Sequence, residues 1–253
     1  MILNQFSLKG KIAIVTGASR GLGAGMALGL AEAGADVAVV ATSAKAEETA
    51  KAVRELGRRA IAIRADLSSI QSIPGIVEKT MAEFGKIDIL VNCAGINRRY
   101  AAIDCTEKEW DDVINLNQKS TYFMCQAVAR EMIKQKSGKI INMASLMSFQ
   151  GGLNVSPYTA SKGAVAAVTK ALANEWAPHG INVNAIVPGY FATDLTQALQ
   201  DDPERNRDIS LRIPQGRWGK ADDLKGAVVF LASDASAYVQ GHLLAVDGGY
   251  LAR

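Results

Sequence analysis

The stretch Lys11-Ile-Ala-Ile-Val-Thr-Gly-Ala-Ser-Arg-Gly-Leu-Gly23 decides the fold. Its first half, Lys11 to Thr16, is a short β-branched run that stops at Gly17 and predicts a buried strand. Its second half spaces glycines as Gly17-x-x-x-Gly21-x-Gly23, and Leu22 to Ala33 then carries a helical apolar pattern that stops at Gly34. Glycines between a strand and a helix let the backbone turn tightly and approach a pyrophosphate, whose charge then faces the helix N-terminus. The spacing is not the G-x-G-x-x-G of the common dinucleotide fingerprint, and glycines alone also serve capping and close packing.

Outward from this turn the same alternation continues. Strands are predicted over 37–41, 60–64, 87–91, 139–143, 181–186 and 243–246, with helices over 44–56, 69–84, 107–134, 158–176 and 221–232 between them. Strand–helix alternation predicts an α/β fold, a doubly wound (Rossmann) parallel sheet of about seven strands with helices on both faces. No repeat or low-complexity linker divides residues 1–253, so a single domain is expected. Residues 194–218 break the rhythm with charges, Pro203 and Pro214, just past a predicted strand end, and are expected to form a substrate lid.

Composition narrows the function classes. Hydrophobic residues are 49% and charged residues 21%, close to the globular average, which excludes a disordered chain. Lys+Arg exceeds Asp+Glu by 28 to 25, and basic residues never cluster beyond the pairs Arg58-Arg59 and Arg98-Arg99. A nucleic-acid partner is therefore not expected. No apolar run approaches the roughly 20 residues that span a bilayer, and Met1 to Phe6 has no leader pattern, so no membrane partner is expected either. Cys93, Cys105 and Cys125 lack disulfide or zinc spacing and read as free thiols of a reducing cytoplasm. His179 and His242 stand alone, outside any metal-ligand or triad pattern, so no metal is expected and acid–base chemistry must rest on other groups.

Those groups lie after the predicted fifth strand. Ser145 follows it directly, Tyr158 comes 13 positions later, and Lys162 follows Tyr158 at i+4, one turn along the same helix face. A tyrosine of pKa about 10 is a poor base at neutral pH, and a neighbouring cation lowers it by about 1–3 units. Tyr158, assisted by Lys162, could then exchange a proton with a substrate oxygen while a hydride moves to or from nicotinamide, with Ser145 hydrogen-bonding that oxygen. At the end of the second strand, Ala41-Thr42-Ser43 offers no acid for a ribose 2′-hydroxyl, while Arg20 and Lys45 stand near. On electrostatics this favours NADP(H) over NAD(H).

Taken together, Thr16-Gly17-x-x-x-Gly21-x-Gly23, Asp66-Leu67, Asn92-Cys93-Ala94-Gly95, Asn117, Ser145, Tyr158-x-x-x-Lys162 and Pro188-Gly189 resemble the short-chain dehydrogenase/reductase family over essentially the full length. The resemblance implies a catalytic set of Asn117, Ser145, Tyr158 and Lys162, with Asn117 holding a water in a proton relay to Lys162. It implies an NAD(P)(H) site over Gly17, Ser19, Arg20, Gly21, Leu22, Gly23, Thr42, Asp66, Leu67, Asn92, Ala94, Gly95, Tyr158, Lys162, Pro188, Gly189, Phe191 and Thr193. Asp66 would contact adenine, and Pro188, Phe191 and Thr193 would border the nicotinamide. The family's usual Asn-Asn-Ala-Gly carries Cys93 in its second place, expected as a packing adjustment. Members are usually tetramers, so a homotetramer is implied.

Within the family the likeness is greatest to the 5-dehydrogenases of sugar acids, carried by Ile96-Asn-Arg98-Arg99, Ser148-Phe-Gln150-Gly-Gly152, Asn174-Glu-Trp176, Gly216-Arg-Trp-Gly219 and Leu251-Ala-Arg253. It implies substrates such as 2-dehydro-3-deoxy-D-gluconate or gluconate, and the deoxy-acid group is expected to favour NAD(H), against the Arg20 and Thr42 reading. A carboxylate site follows, for which Arg98 or Arg99 is the candidate, with Ser145, Gln150 and Tyr158 around the rest of the substrate. Gly-Ala-Ser-Arg-Gly and Ala41-Thr-Ser43 also look like 3-oxoacyl reductases, and a dinucleotide-binding interaction module is the reading outside enzymes.

Overall fold

A computed structural model describes residues 1–253, apart from the side chain of Leu195. Its strands are β1 (Ile12–Thr16), β2 (Asp36–Ala41), β3 (Ala60–Arg64), β4 (Ile89–Asn92), β5 (Gly138–Met143), β6 (Ile181–Pro188) and β7 (Leu243–Val246). They form one parallel sheet in the order β3-β2-β1-β4-β5-β6-β7. The order reverses between β1 and β4, and an open α/β sheet binds its ligands at that crevice, beyond the carboxyl ends of the strands. The helices are α1 (Gly21–Glu32), α2 (Ala46–Glu55), α3 (Ile73–Phe84), α4 (Glu107–Ile114), α5 (Ser120–Gln135), α6 (Ser156–Trp176), α7 (Gln197–Gln200), α8 (Pro203–Arg212) and α9 (Lys225–Ala232). None is long and apolar enough to cross a membrane.

Both faces of the sheet are buried, which explains why its strands read as unbroken apolar runs. Successive side chains alternate between the two cores. Ala13 and Val15 join Met26 and Leu30 of α1, Val53 of α2 and Val228 and Leu231 of α9. Ile14 points the other way, among Ile76 of α3, Met124 and Met132 of α5, and Leu172 and Trp176 of α6. All the expected strands form, with ends within two residues of their sequence positions.

The expected helix over 107–134 is interrupted. A π turn at Asn115–Lys119 separates α4 from α5, and the Ser120 N–H bonds back to the Asn115 carbonyl. The hydroxyls of Ser120 and Thr121 donate to the carbonyls of Leu116 (2.6 Å) and Asn117 (2.8 Å), taking up main-chain acceptors at the bulge. No residue type at 115–119 marks a π turn, so the sequence reads there as one continuous helix.

Residues 194–218 form a 3-10 turn at Asp194–Thr196, then α7 and α8. Leu199, Ile209 and Ile213 pack with Leu146, Val187 and Tyr250 into a third, smaller core over the carboxyl end of the sheet. The excursion leaves and returns at one place, where the Ala192 N–H donates to the Gly219 carbonyl and the Gly219 N–H to that of Tyr190, both at 2.9 Å.

A polar seam runs through the apolar core between β4, β5 and α6. The Asn92 amide donates to Asn142 Oδ1 (3.0 Å) and the Asn142 amide to Thr169 Oγ1 (3.0 Å), with Cys125 Sγ beside both asparagines. Asn142 and Thr169 are fully buried. Removing one member leaves buried partners unpaired, so Asn142→Ala is expected to cost about 1–3 kcal/mol of unfolding free energy, read by urea denaturation.

Candidate active site

The glycine turn owes its shape to contacts with the end of β4. Gly17 has φ +64°, and a Cβ on it would stand 2.8 Å from the Ala94 backbone; a Cβ on Gly23 would stand 2.4 Å from the Gly17 carbonyl. Thr16 Oγ1 accepts from the N–H groups of Cys93 (3.0 Å) and Ala94 (3.1 Å) where β4 turns away from β1. The first turn of α1 has no acidic residue and Arg20, at its N-cap, makes no side-chain cap bond. Its N–H groups therefore face the crevice free to meet an anion, which is the fit a dinucleotide pyrophosphate requires.

Gly17, Arg20, Gly21, Leu22, Gly23, Gly95 and Thr193 line this groove, as their sequence positions implied. Ser19 lies in the turn and Ala94 packs against Gly17, while Phe191 is buried in the core under α1 and Leu67 in the core on the other face of the sheet. Asp66 is exposed past the end of β3, its carboxylate accepting from the Ser68 N–H at 2.9 Å. Two expected contacts fall elsewhere. The Asn92 side chain alternates inward and is spent in the buried seam, leaving only its backbone toward the groove. Arg20 does not turn toward Thr42, because its guanidinium pairs with Asp194 at 2.8 Å across the groove. At the end of β2, Arg64 instead donates to the Thr42 carbonyl at 3.0 Å.

Asn117, Ser145, Tyr158 and Lys162 converge from three elements. The π turn directs Asn117 inward, where its side chain accepts from the Ile96 N–H (2.8 Å) and donates to the Ile96 carbonyl (2.8 Å) and Ser161 Oγ (3.1 Å). That single amide ties the loop after β4 to the π turn and α6. Both amide hydrogens are engaged, so any water it holds must meet its oxygen, its neighbours or its backbone. Ser145 caps a 3-10 turn at Leu146–Ser148, accepting from the Met147 N–H at 3.2 Å. Ser148 Oγ donates to the Lys162 carbonyl at 2.8 Å, tying that turn to α6.

Lys162 Nζ donates to the Met143 carbonyl at 2.6 Å and lies 5.7 Å from the centre of the Tyr158 ring. Burial pulls the Lys162 ammonium down to about 8. Tyr158 departs from expectation: burial holds its phenol above the ordinary tyrosine value, and the group pulling it down is Ser145, not Lys162. The lysine spends its hydrogen bond on Met143, and desolvation of the phenolate outweighs the remaining attraction. Cys93 stands in the same corner, its thiol pushed up to about 11 by burial against the pull of Lys162.

Beside Ser145 and Tyr158 opens a pocket of ≈ 130 Å³, walled by Leu146, Val155, Pro188, Gly189 and Leu199. Its polar lining includes Asn97, Arg99, Tyr190 and Arg205. Of the two candidate arginines, only Arg99 faces it, while Arg98 turns to Asp112 at 3.7 Å. Gln150 lies outside, in a neighbouring cleft with Asp208 and Arg212. Asn97, Tyr190, Arg205 and Arg64 carry no local sequence signal, because only the fold brings them to these positions.

The buried ammonium has a consequence for stability. The Lys162 pKa of about 8 in the folded protein lies below its ordinary 10.5, so the unfolded chain binds more protons between those values. The cost of burying the charge is full below about pH 8 and fades toward pH 10.5. Wild-type protein is expected to gain stability relative to Lys162→Met across that window, measured by denaturant unfolding at each pH.

Comparison with known proteins agrees with this geometry. A family model described as enoyl-(acyl carrier protein) reductase matches residues 17–251. The chain is 58% identical to the 2-dehydro-3-deoxy-D-gluconate 5-dehydrogenase of Dickeya dadantii, over 100% of each chain. It is 51% identical to the enzyme of that name from Bacillus subtilis, over 99% of this chain and 98% of the other. The crystal structure of a gluconate 5-dehydrogenase from Burkholderia cenocepacia in complex with NADP and tartrate superposes with a TM-score of 0.96 at 40% identity, over 100% of both chains. With the glycine turn, the parallel sheet and these full-length relatives, the chain belongs to the short-chain dehydrogenase/reductase family and is an oxidoreductase that works with a nicotinamide dinucleotide.

Proposed function

We propose that this protein interconverts a hydroxyl and a ketone on a sugar acid, with 2-dehydro-3-deoxy-D-gluconate as the substrate and carbon 5 as the reacting position. The observation that carries the reading is the pocket beside Tyr158. It is lined by Arg99 and by Asn97, whose Oδ1 is buried without a hydrogen-bond partner. A guanidinium suits a carboxylate, and an unpaired buried acceptor suits a hydroxyl donor, so together they fit a hydroxylated acid better than an acyl chain. The names of the Dickeya and Bacillus relatives support the same substrate.

In this reading Tyr158 gives or takes the proton at the reacting oxygen and Ser145 donates a hydrogen bond to it as charge develops. Lys162 holds positive charge behind the phenol, and Asn117 fixes the loop that carries Ile96. A nicotinamide dinucleotide supplies the hydride donor or acceptor when it is bound. Gly17, Gly21, Leu22 and Gly23 would hold its pyrophosphate, Asp66 its adenine, and Pro188, Gly189 and Thr193 its nicotinamide end. Residues 194–218 act as a lid over substrate and cofactor. The end of β2 lacks an acid and has Arg64 beside Thr42, which supports acceptance of NADP(H) as well as NAD(H).

Steady-state assays of 2-dehydro-3-deoxy-D-gluconate and gluconate with NAD and with NADP test the reading. Turnover of the deoxy acid is expected to exceed that of gluconate. Tyr158→Phe is expected to lose at least about 100-fold in kcat while keeping its cofactor affinity. Inactivity on both acids would turn attention to acyl substrates. A homotetramer is also proposed, in line with exposed apolar side chains at Ile2, Leu3, Ile103, Phe149 and Tyr238. Light scattering should then report four chains per particle, and cell fractionation should find the protein, with its free thiols Cys93, Cys105 and Cys125, in the cytoplasm.

A further inference from the structure

The arginines around the pocket mouth divide into two groups. Arg20 pairs with Asp194 at 2.8 Å, Arg98 with Asp112 at 3.7 Å, and Arg217 with Asp223 at 2.7 Å. Arg212 stacks over the Tyr250 ring at 4.3 Å. Arg99 and Arg205 have no such partner: among the described residues no carboxylate lies within 4.0 Å of either guanidinium, and neither side chain makes a hydrogen bond. Both line the pocket that contains Ser145 and Tyr158, whose lining includes no Asp or Glu. Two exposed guanidiniums without a carboxylate partner, both lining one acid-free pocket, are open to an anion held between them.

They come from opposite sides. Arg99 belongs to the loop after β4, whose base is fixed by the bonds between Asn117 and Ile96. Arg205 lies in the first turn of α8, where Asp202 caps the helix by accepting from the N–H groups of Glu204 and Arg205, each at 3.1 Å. That cap fixes the Arg205 backbone and leaves its guanidinium free. Asn206 anchors the same turn, donating to the Gln200 carbonyl (3.1 Å) and accepting from Trp218 Nε1 (2.9 Å). Tyr190 lines the same pocket as the two arginines. Burial raises its phenol pKa, while Arg99 and Arg205 each pull it down, so both charges act on one spot of the pocket wall.

We infer that Arg205 is the second jaw of a carboxylate clamp closed against Arg99, so that an acidic substrate draws α8 over the site and a neutral one does not. The inference rests on the sugar-acid reading and extends it by naming the residue through which the α8 side of the pocket selects an acid. Nothing in the residues near Arg205 in sequence pairs with it, and the substrate carboxylate supplies what the protein withholds. A bidentate or shared carboxylate would satisfy both forks.

The test is a set of KM and kcat values for 2-dehydro-3-deoxy-D-gluconate with wild type, Arg99→Ala, Arg205→Ala, Arg205→Glu and the double alanine variant. Arg207→Ala, on the same helix and outside the pocket lining, controls for loosening of α8. Loss of a charge-assisted bond predicts a KM about 10- to 100-fold higher for each alanine variant, with kcat changed only a few-fold, and a larger rise for Arg205→Glu. Because the two arginines share one carboxylate, the double variant should be worse than either single one by less than the product of their effects. Cofactor affinity should be unaffected in all variants. A KM that ignores Arg205→Ala, or that rises equally in Arg207→Ala, would overturn the clamp while leaving the substrate reading intact. Wild-type protein that turns over no sugar acid would overturn the substrate reading and the clamp with it.

Discussion

The rest of the structure depends on how closely two strand ends can approach where the sheet reverses its order. At the junction of β1 and β4 the backbone of Gly17 lies against that of Ala94 with no room for a Cβ. As β4 leaves its neighbour, the N–H groups of Cys93 and Ala94 lose their ladder partners, and the hydroxyl of Thr16 accepts both. A buried N–H left without a partner would cost more than the hydroxyl does, so the divergence is tolerated only with this side chain in place. From that opening follow the groove, the bare N-terminus of α1 and the line along which the loop after β4 reaches the reacting corner.

That corner is assembled from groups that folding alone would avoid. An ammonium is buried at Lys162, a phenol is held above its ordinary pKa, an amide oxygen at Asn97 has no partner, and two guanidiniums face an acid-free pocket. The buried groups among them cost free energy in the protein by themselves, and all have an obvious use once a hydroxylated anion and a dinucleotide are present. The surrounding scaffold offsets this: two large apolar cores cover both faces of the sheet, and Asn117 locks the loop, the π turn and α6 with one side chain.

How much of this was legible in the sequence differs by element and for physical reasons. The strands were plain because a sheet buried on both faces makes every residue of β1 apolar or small, and glycines mark where the chain must turn. The spacing of Tyr158 and Lys162 was equally direct, since one helical turn fixes it. The π turn was hidden because Asn115 to Lys119 sit within a continuous helical run and no residue type marks the wider turn. Asn92 shows why a polar residue at a strand end near the site is ambiguous in sequence: its side chain also has an inward option, which a second buried asparagine at 142 takes. Charge in the sequence gave no address: Arg20 and Arg98 found carboxylates on distant segments, at Asp194 and Asp112, while Arg99 and Arg205 found none.

The excursion between Phe191 and Gly219 departs from and rejoins the chain at a single pair of backbone bonds. Its interior can lengthen, shorten or change composition at a closure cost that grows only with the logarithm of its length, while the strands beneath keep their register. The residues proposed for proton exchange lie wholly outside it, in the turn after β5, the π turn and α6. Duplicated copies of such a gene could therefore diverge in what they accept by rewriting one segment, and keep the reaction they perform untouched.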